Sequence, residues 1–130
     1  MIPKREKEEF LVETANIEKF MPTVYQAEIL VKNNIETYRR KGIKAFKIIH
    51  GYGSTGKGGA LRTGIRSYLA QLKKAKIIAD YVPGEDFSVF NETTRKILDL
   101  DNSFRKDSDL DKMNAGVTII VISFAERKFP

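Results

Sequence analysis

The residues best placed to do chemistry sit together in one stretch, His50-Gly-Tyr-Gly-Ser-Thr-Gly-Lys-Gly-Gly-Ala-Leu-Arg62. It holds the only histidine of the chain and five glycines within nine residues. Glycine tolerates positive φ and lets a ligand approach the main chain closely. A glycine-rich loop between a strand and a helix points free backbone N–H groups at an anion. The backbone amides of Gly51, Tyr52, Gly53, Ser54, Gly56, Gly58 and Gly59 and the side chains of Lys57, Arg62 and Arg66 are therefore the candidate phosphate contacts. Three roles are open to His50. It can act as general acid or base, because an unperturbed imidazole titrates near pH 6.5. It can hydrogen-bond a phosphate or stack on a base, or it can pin the loop through backbone carbonyls. Tyr52, flanked by glycines, can stack on an unpaired base or pack over the sheet edge.

Two other motifs fall short of their patterns. Gly51 to Lys57 matches G-x-x-x-x-G-K, but the next residue, where a P-loop needs Ser or Thr for magnesium, is Gly58. Asp80 is the one acid at a strand that resembles a magnesium ligand. Asp107-Ser-Asp109-Leu-Asp111 opens like a calcium loop, yet Lys112 and Thr118 stand where Gly and Glu are required. A solvated acidic loop is the reading that remains.

The elements that must hold the loop are legible from periodicity. Phe46-Lys-Ile-Ile49 is apolar, and a strand over Ala45–Ile49 delivers His50. A helix from about Gly59 to Ala75 follows, with Leu61, Ile65, Tyr68 and Leu72 on its buried face. Arg62, Arg66 and Lys73 form a second stripe, free to meet a ligand or water. Upstream, a first strand is expected within Glu9–Ile17 and a turn over Glu18–Pro22. Thr23 with Gln26 three residues on makes a capping box for a helix that Gly42 stops. Its last residues, Arg39-Arg-Lys41, suit either the helix dipole or a phosphate. Lys76–Val82 reads as a third strand and Val117–Phe124 as the last. Between them Glu85–Met113 is long and net acidic, with a short helix over Glu92–Leu100.

Residues 1–8 read as a frayed terminus and 9–130 as a single domain, carrying an insertion at about 85–113. The fold class is α/β: a two-layer sandwich on a mixed sheet, with a β-α-β-α-β core and a final strand after the acidic insertion. Ligands of such sheets sit beyond the carboxyl ends of the strands, where the glycine loop falls.

The chain carries 23 Lys and Arg against 17 Asp and Glu, for a net charge of +6. Lys32 to Lys76 holds 12 bases and one acid, and the remainder is net −5. That asymmetry, centred on the loop, is the footprint of a polyanion partner. The absence of cysteine excludes disulfides and thiolate zinc, and one histidine excludes a multi-histidine metal centre. No apolar run spans a bilayer and no signal segment is visible, so a cytoplasmic protein without membrane partners is expected.

His50-Gly-Tyr-Gly53 followed by Leu61-Arg62 at a helix start resembles the His-Gly-x-Gly…Leu-Arg signature of the Smr (small MutS-related) domain. The order of elements is similar too, down to the strand after Asn114-Ala-Gly116. The resemblance covers about Glu9–Ser123 apart from Glu85–Met113. It implies a two-layer α/β fold that binds RNA or DNA. Several members of the family nick DNA or cleave RNA, and the family is linked to recombination control and ribosome rescue, so the ribosome joins the candidate partners. It carries binding over to His50, Gly51, Gly53 and Arg62. Many Smr domains also have Asp-x-His-Gly near the end of the first strand. Here Ile17-Glu-Lys-Phe-Met-Pro-Thr23 offers no histidine, and Glu13 or Glu18 alone can stand in for the acid. Ser54–Gly59 also lengthens the loop. The leading expectation is thus nucleic-acid binding without a cofactor, and the alternative an endonuclease with His50 as acid or base, which would bring in magnesium.

Overall fold

The computed structural model describes residues 11–52 and 56–125, with the side chains of residues 56–58 left out. The expected frayed terminus lies outside them, as do Gly53 and Ser54. Strands β1 (Thr14–Asn16), β2 (Ala45–Ile49), β3 (Asp80–Pro83) and β4 (Val117–Val121) alternate with helices α1 (Val24–Arg40), α2 (Gly56–Lys74) and α3 (Glu92–Leu100). The sheet order is β1-β2-β4-β3. β1 and β2 are parallel, and β4 runs antiparallel to both β2 and β3. It is a mixed α/β fold, as the alternation of elements implied.

Local chemistry accounts for the element ends. Thr23 Oγ1 accepts from the Gln26 amide at 3.1 Å while Gln26 Oε1 accepts from the Thr23 amide at 2.9 Å, so the capping box is formed. α1 ends at Arg40, ahead of Gly42 at φ +76°. The third strand is shorter than Lys76–Val82, because Lys76 turns the chain at φ +61° and Ile77 N–H returns to Leu72 C=O at 2.9 Å. β3 is an edge strand, which is why Pro83, with no N–H to donate, fits there. α2 begins three residues before the expected Gly59 and buries Leu69 fully, with Tyr68 only partly buried.

Alternation along β2 and β4 divides the core. Phe46, Ile48, Ile120 and Ile122 face α1 and α2, meeting Ala27, Val31, Ile35, Leu61, Ile65 and Leu69. Ala45, Ile119 and Val121 face the other way, onto Phe87, Ile97, Leu98 and Phe104. The acidic segment is therefore no loose insertion. It is the cover of the second sheet face, and the expectation of a solvated loop is corrected. Lys47, mid-strand and pointing to that face, shows how the segment is fastened. Its ammonium donates to Asp107 at 2.9 and 3.0 Å and to Asp109 at 2.7 Å. Burial works against a charged lysine, but the hydrogen bonds to Asp109 and Asp107 outweigh it and raise the pKa. The aspartates that resemble a calcium loop hold a lysine instead.

Because Phe104 is fully buried, Phe104→Ala should cost about 3–5 kcal/mol in denaturant unfolding. A loss under about 0.5 kcal/mol, the range of surface changes, would mean that the segment is an appendage.

Candidate nucleic-acid interface

β2 ends by feeding His50 and Gly51 into the loop, and β4 holds them there. The amides of His50 and Gly51 both donate to Gly116 C=O at 3.0 Å. Gly51 sits at φ +89°, and a Cβ there would lie 1.8 Å from a carboxylate oxygen of Glu18. Only glycine combines that backbone with that approach. Glu18, one of the two acids that could replace the missing first-strand acid, is thus brought against the loop; Glu13 lies before β1, at the strand's other end.

The imidazole of His50 is 0% exposed. Its Nδ1 lies 3.0 Å from Gly51 C=O and its Nε2 2.8 Å from Thr118 Oγ1. Thr118 Oγ1 is also 3.2 Å from Arg66 Nε. A guanidinium only donates and a carbonyl only accepts, which fixes the two ends of the series; with the ring neutral, the middle bond is fixed as well. Arg66 Nε–H donates to Thr118, the Thr118 hydroxyl donates to His50 Nε2, and His50 Nδ1–H donates to Gly51 C=O. The histidine is neutral in this arrangement. Burial first, and then the charges of Arg66 and Arg62, push its pKa down to about 4. Of the three roles open to His50, the structure shows the loop-pinning one. As it stands the ring is buried and both of its nitrogens are occupied.

Arg66 is likewise not free. Its guanidinium pairs with Glu85 at 2.6 and 2.9 Å and donates to Ala115 C=O at 3.3 Å and Val117 C=O at 3.2 Å. Arg66, expected to contact phosphate, is paired in the structure with the acid that follows Pro83-Gly84. Burial alone would raise the pKa of Glu85, but the hydrogen bonds and charge of Arg66 hold it below the usual range. Lys73 pairs with Asp80 at 2.9 Å. Arg39 donates to Ile77 C=O, so one member of the basic triplet ties α1 to the turn after α2. Asn114 joins the two polar systems: it donates to Asp109 at 2.7 Å and accepts from the Gly116 amide at 2.8 Å.

What remains open to a ligand is the rim. Arg62 is half-buried and makes no side-chain hydrogen bond among the described residues. Tyr52 is 60% exposed, its ring beside Gly116. Gly56 to Gly59 form the first turn of α2, with no acid in that turn, and the first four N–H groups of a helix lack intrahelical acceptors. Lys57 lies on the same turn. Sequence reasoning missed Thr118 and Glu85. Glu85 is nineteen residues from Arg66, and only its position after a strand-ending Pro-Gly hinted at a role.

The buried histidine gives a pH signature. The unfolded chain takes up a proton near pH 6.5, and the folded chain only near pH 4. Stability should therefore be flat above about pH 6.5 and fall as the pH drops toward 4, by about 3 kcal/mol at 1.36 kcal/mol per unit. The lowered pKa of Glu85 adds to the loss below its unfolded value near 4.5. Chemical denaturation at pH 7.5, 5.5 and 4.5 checks this; equal stability at pH 7.5 and 5.5 would contradict it.

Among curated proteins none matches the chain. The fold is similar to the crystal structure of the Smr domain of Thermus thermophilus MutS2, with 20% identity and a TM-score of 0.53 over 86% of this chain and 99% of that one. The model of the Smr domain family matches residues 20–86. That span, over half of the chain, runs from the Glu18–Phe20 turn through α1, β2, the glycine loop and α2 to the Gly84–Asp86 turn. It includes His50, Arg62, Arg66 and Glu85, so the site just described is built largely from family positions, and the chain belongs to the Smr domain family.

Proposed function

We propose that this Smr domain binds nucleic acid, RNA or DNA, by its phosphate backbone at the glycine loop and the start of α2. The observation that carries the reading is the division of labour among the cations. Arg66 and Lys47 are consumed internally, whereas Arg62 stands uncommitted beside a helix N-terminus, within a region of net charge +11. Lys57 adds a charge on the same turn. His50 shapes the loop from beneath, through Gly51. No helix among the described residues is long and apolar enough to cross a membrane, and the basic charge serves a polyanion.

One observation favours cleavage as a second reading: Glu18, whose carboxylate lies against Gly51. A nuclease in this frame would use Glu18, with or without magnesium, as its proton acceptor, rather than His50. Scission of labelled RNA or DNA that is lost in Glu18→Gln would establish it.

Binding should fall steeply with salt. Arg62→Ala should weaken it several-fold and reduce the slope of log affinity against log salt by about 1, the value for one phosphate contact. Lys96→Ala, on α3 across the sheet, should change neither. An affinity that is indifferent to salt, or equal for wild type and Arg62→Ala, would contradict the proposal.

A further inference from the structure

The surface next to the loop carries aromatic groups that the fold itself does not use. Phe20 is 62%, Met21 86% and Tyr25 72% exposed, and Ile29 is partly exposed one turn further along α1. Single exposed apolar residues are ordinary; four within ten positions are a ledge. Phe20 belongs to the short Glu18–Phe20 turn whose Glu18 touches Gly51, and Tyr52 is the residue after Gly51. The two exposed rings thus each lie within two residues of one contact, at the mouth of the candidate phosphate site. Met21, Pro22, Thr23 and Val24 share a shallow cavity of about 280 Å³ with Ala60 and Leu61, so the ledge is continuous with the start of α2. The ammonium of Lys19 sits 5.1 Å from the centre of the Phe20 ring, placing a cation against one face.

We infer that Phe20 and Tyr52 are stacking platforms for unpaired bases, which makes single-stranded nucleic acid the preferred ligand of this domain. The inference rests on the proposed phosphate site and adds to it what the bases do. A duplex keeps its base faces stacked inside and offers nothing to an exposed ring. A single strand lying across the loop presents both phosphates and π faces at close spacing. Lys19 on Phe20, the helix N-terminus and Arg62 supply the cations such a strand needs. An apolar partner protein would gain nothing from them.

The test is fluorescence anisotropy with three short labelled ligands of equal length: oligouridylate, a matched RNA duplex and an abasic phosphodiester strand. Wild type should bind oligouridylate at least ten-fold more tightly than the other two. The double variant Phe20→Ala/Tyr52→Ala removes only exposed groups, so its melting temperature should be unchanged. It should lose ten-fold or more on oligouridylate and little on the abasic strand. Equal binding of all three ligands, with the double variant unaffected, would overturn the stacking inference and leave phosphate binding intact. Binding of none would remove both. Concentration-dependent self-association that the double variant abolishes would assign the ledge to a second copy of the chain and overturn the inference as well.

Discussion

A guanidinium cannot give up its proton at any pH a folded protein meets, so once Arg66 points into the interior its surroundings must be built to receive it. Glu85 neutralises it, and the carbonyls of Ala115 and Val117 accept from it. The Arg66 Nε–H is passed to Thr118, and with the imidazole neutral the Thr118 hydroxyl donates onward to it. His50 becomes a neutral acceptor at one nitrogen and a donor at the other, and Gly51 C=O is held at the end of the line. The start of the glycine loop is held by this series. The lone histidine pins the loop by hydrogen bonds at both nitrogens. Along α2, Arg66 is held in this network, while Arg62, one turn earlier, makes no side-chain hydrogen bond among the described residues.

The acidic segment solves a related problem on the opposite face. A strand with apolar neighbours on both faces needs two covers, and α1 and α2 supply one. α3 and Phe104 supply the other, with Lys47 and its two aspartates as the polar fastening. The link from Asp109 through Asn114 to Gly116 means that this cover also steadies the backbone carbonyl on which His50 and Gly51 hang. The segment beyond Asp86 lies outside the family match, yet it supports the loop from behind. Of the acids in Glu85–Met113, Asp107 and Asp109 turn inward to Lys47, and a third, Glu85, pairs with Arg66.

Much of this was legible in the sequence where the signal is local. The capping box at Thr23, the bounds of β2 and of α3, and the loop between strand and helix all follow from residues a few positions apart. Strand ends were less legible, because pairing depends on where the partner stops. β1 is only Thr14–Asn16, and the apolar Ile77-Ile78 belongs to a turn in front of β3. Least legible were pairings between distant charges. Arg66 lies on a helical stripe with Arg62 and nothing nearby marks it as buried. Lys47 was a readable sign: a lysine inside an apolar strand must find carboxylates, and Asp107 and Asp109 were waiting in a motif that invited a metal reading.

The account stands on the state of one imidazole, and with a single histidine in the chain that state can be observed without ambiguity. Long-range proton–nitrogen NMR spectra of the folded protein should show His50 as the neutral Nδ1–H tautomer, unchanged from pH 8 down to pH 5.5. A ring that titrates near pH 6.5, or that sits in the Nε2–H form, would mean that the series from Arg66 to Gly51 is not what holds the loop. His50 would then return as a group free to exchange protons with a ligand.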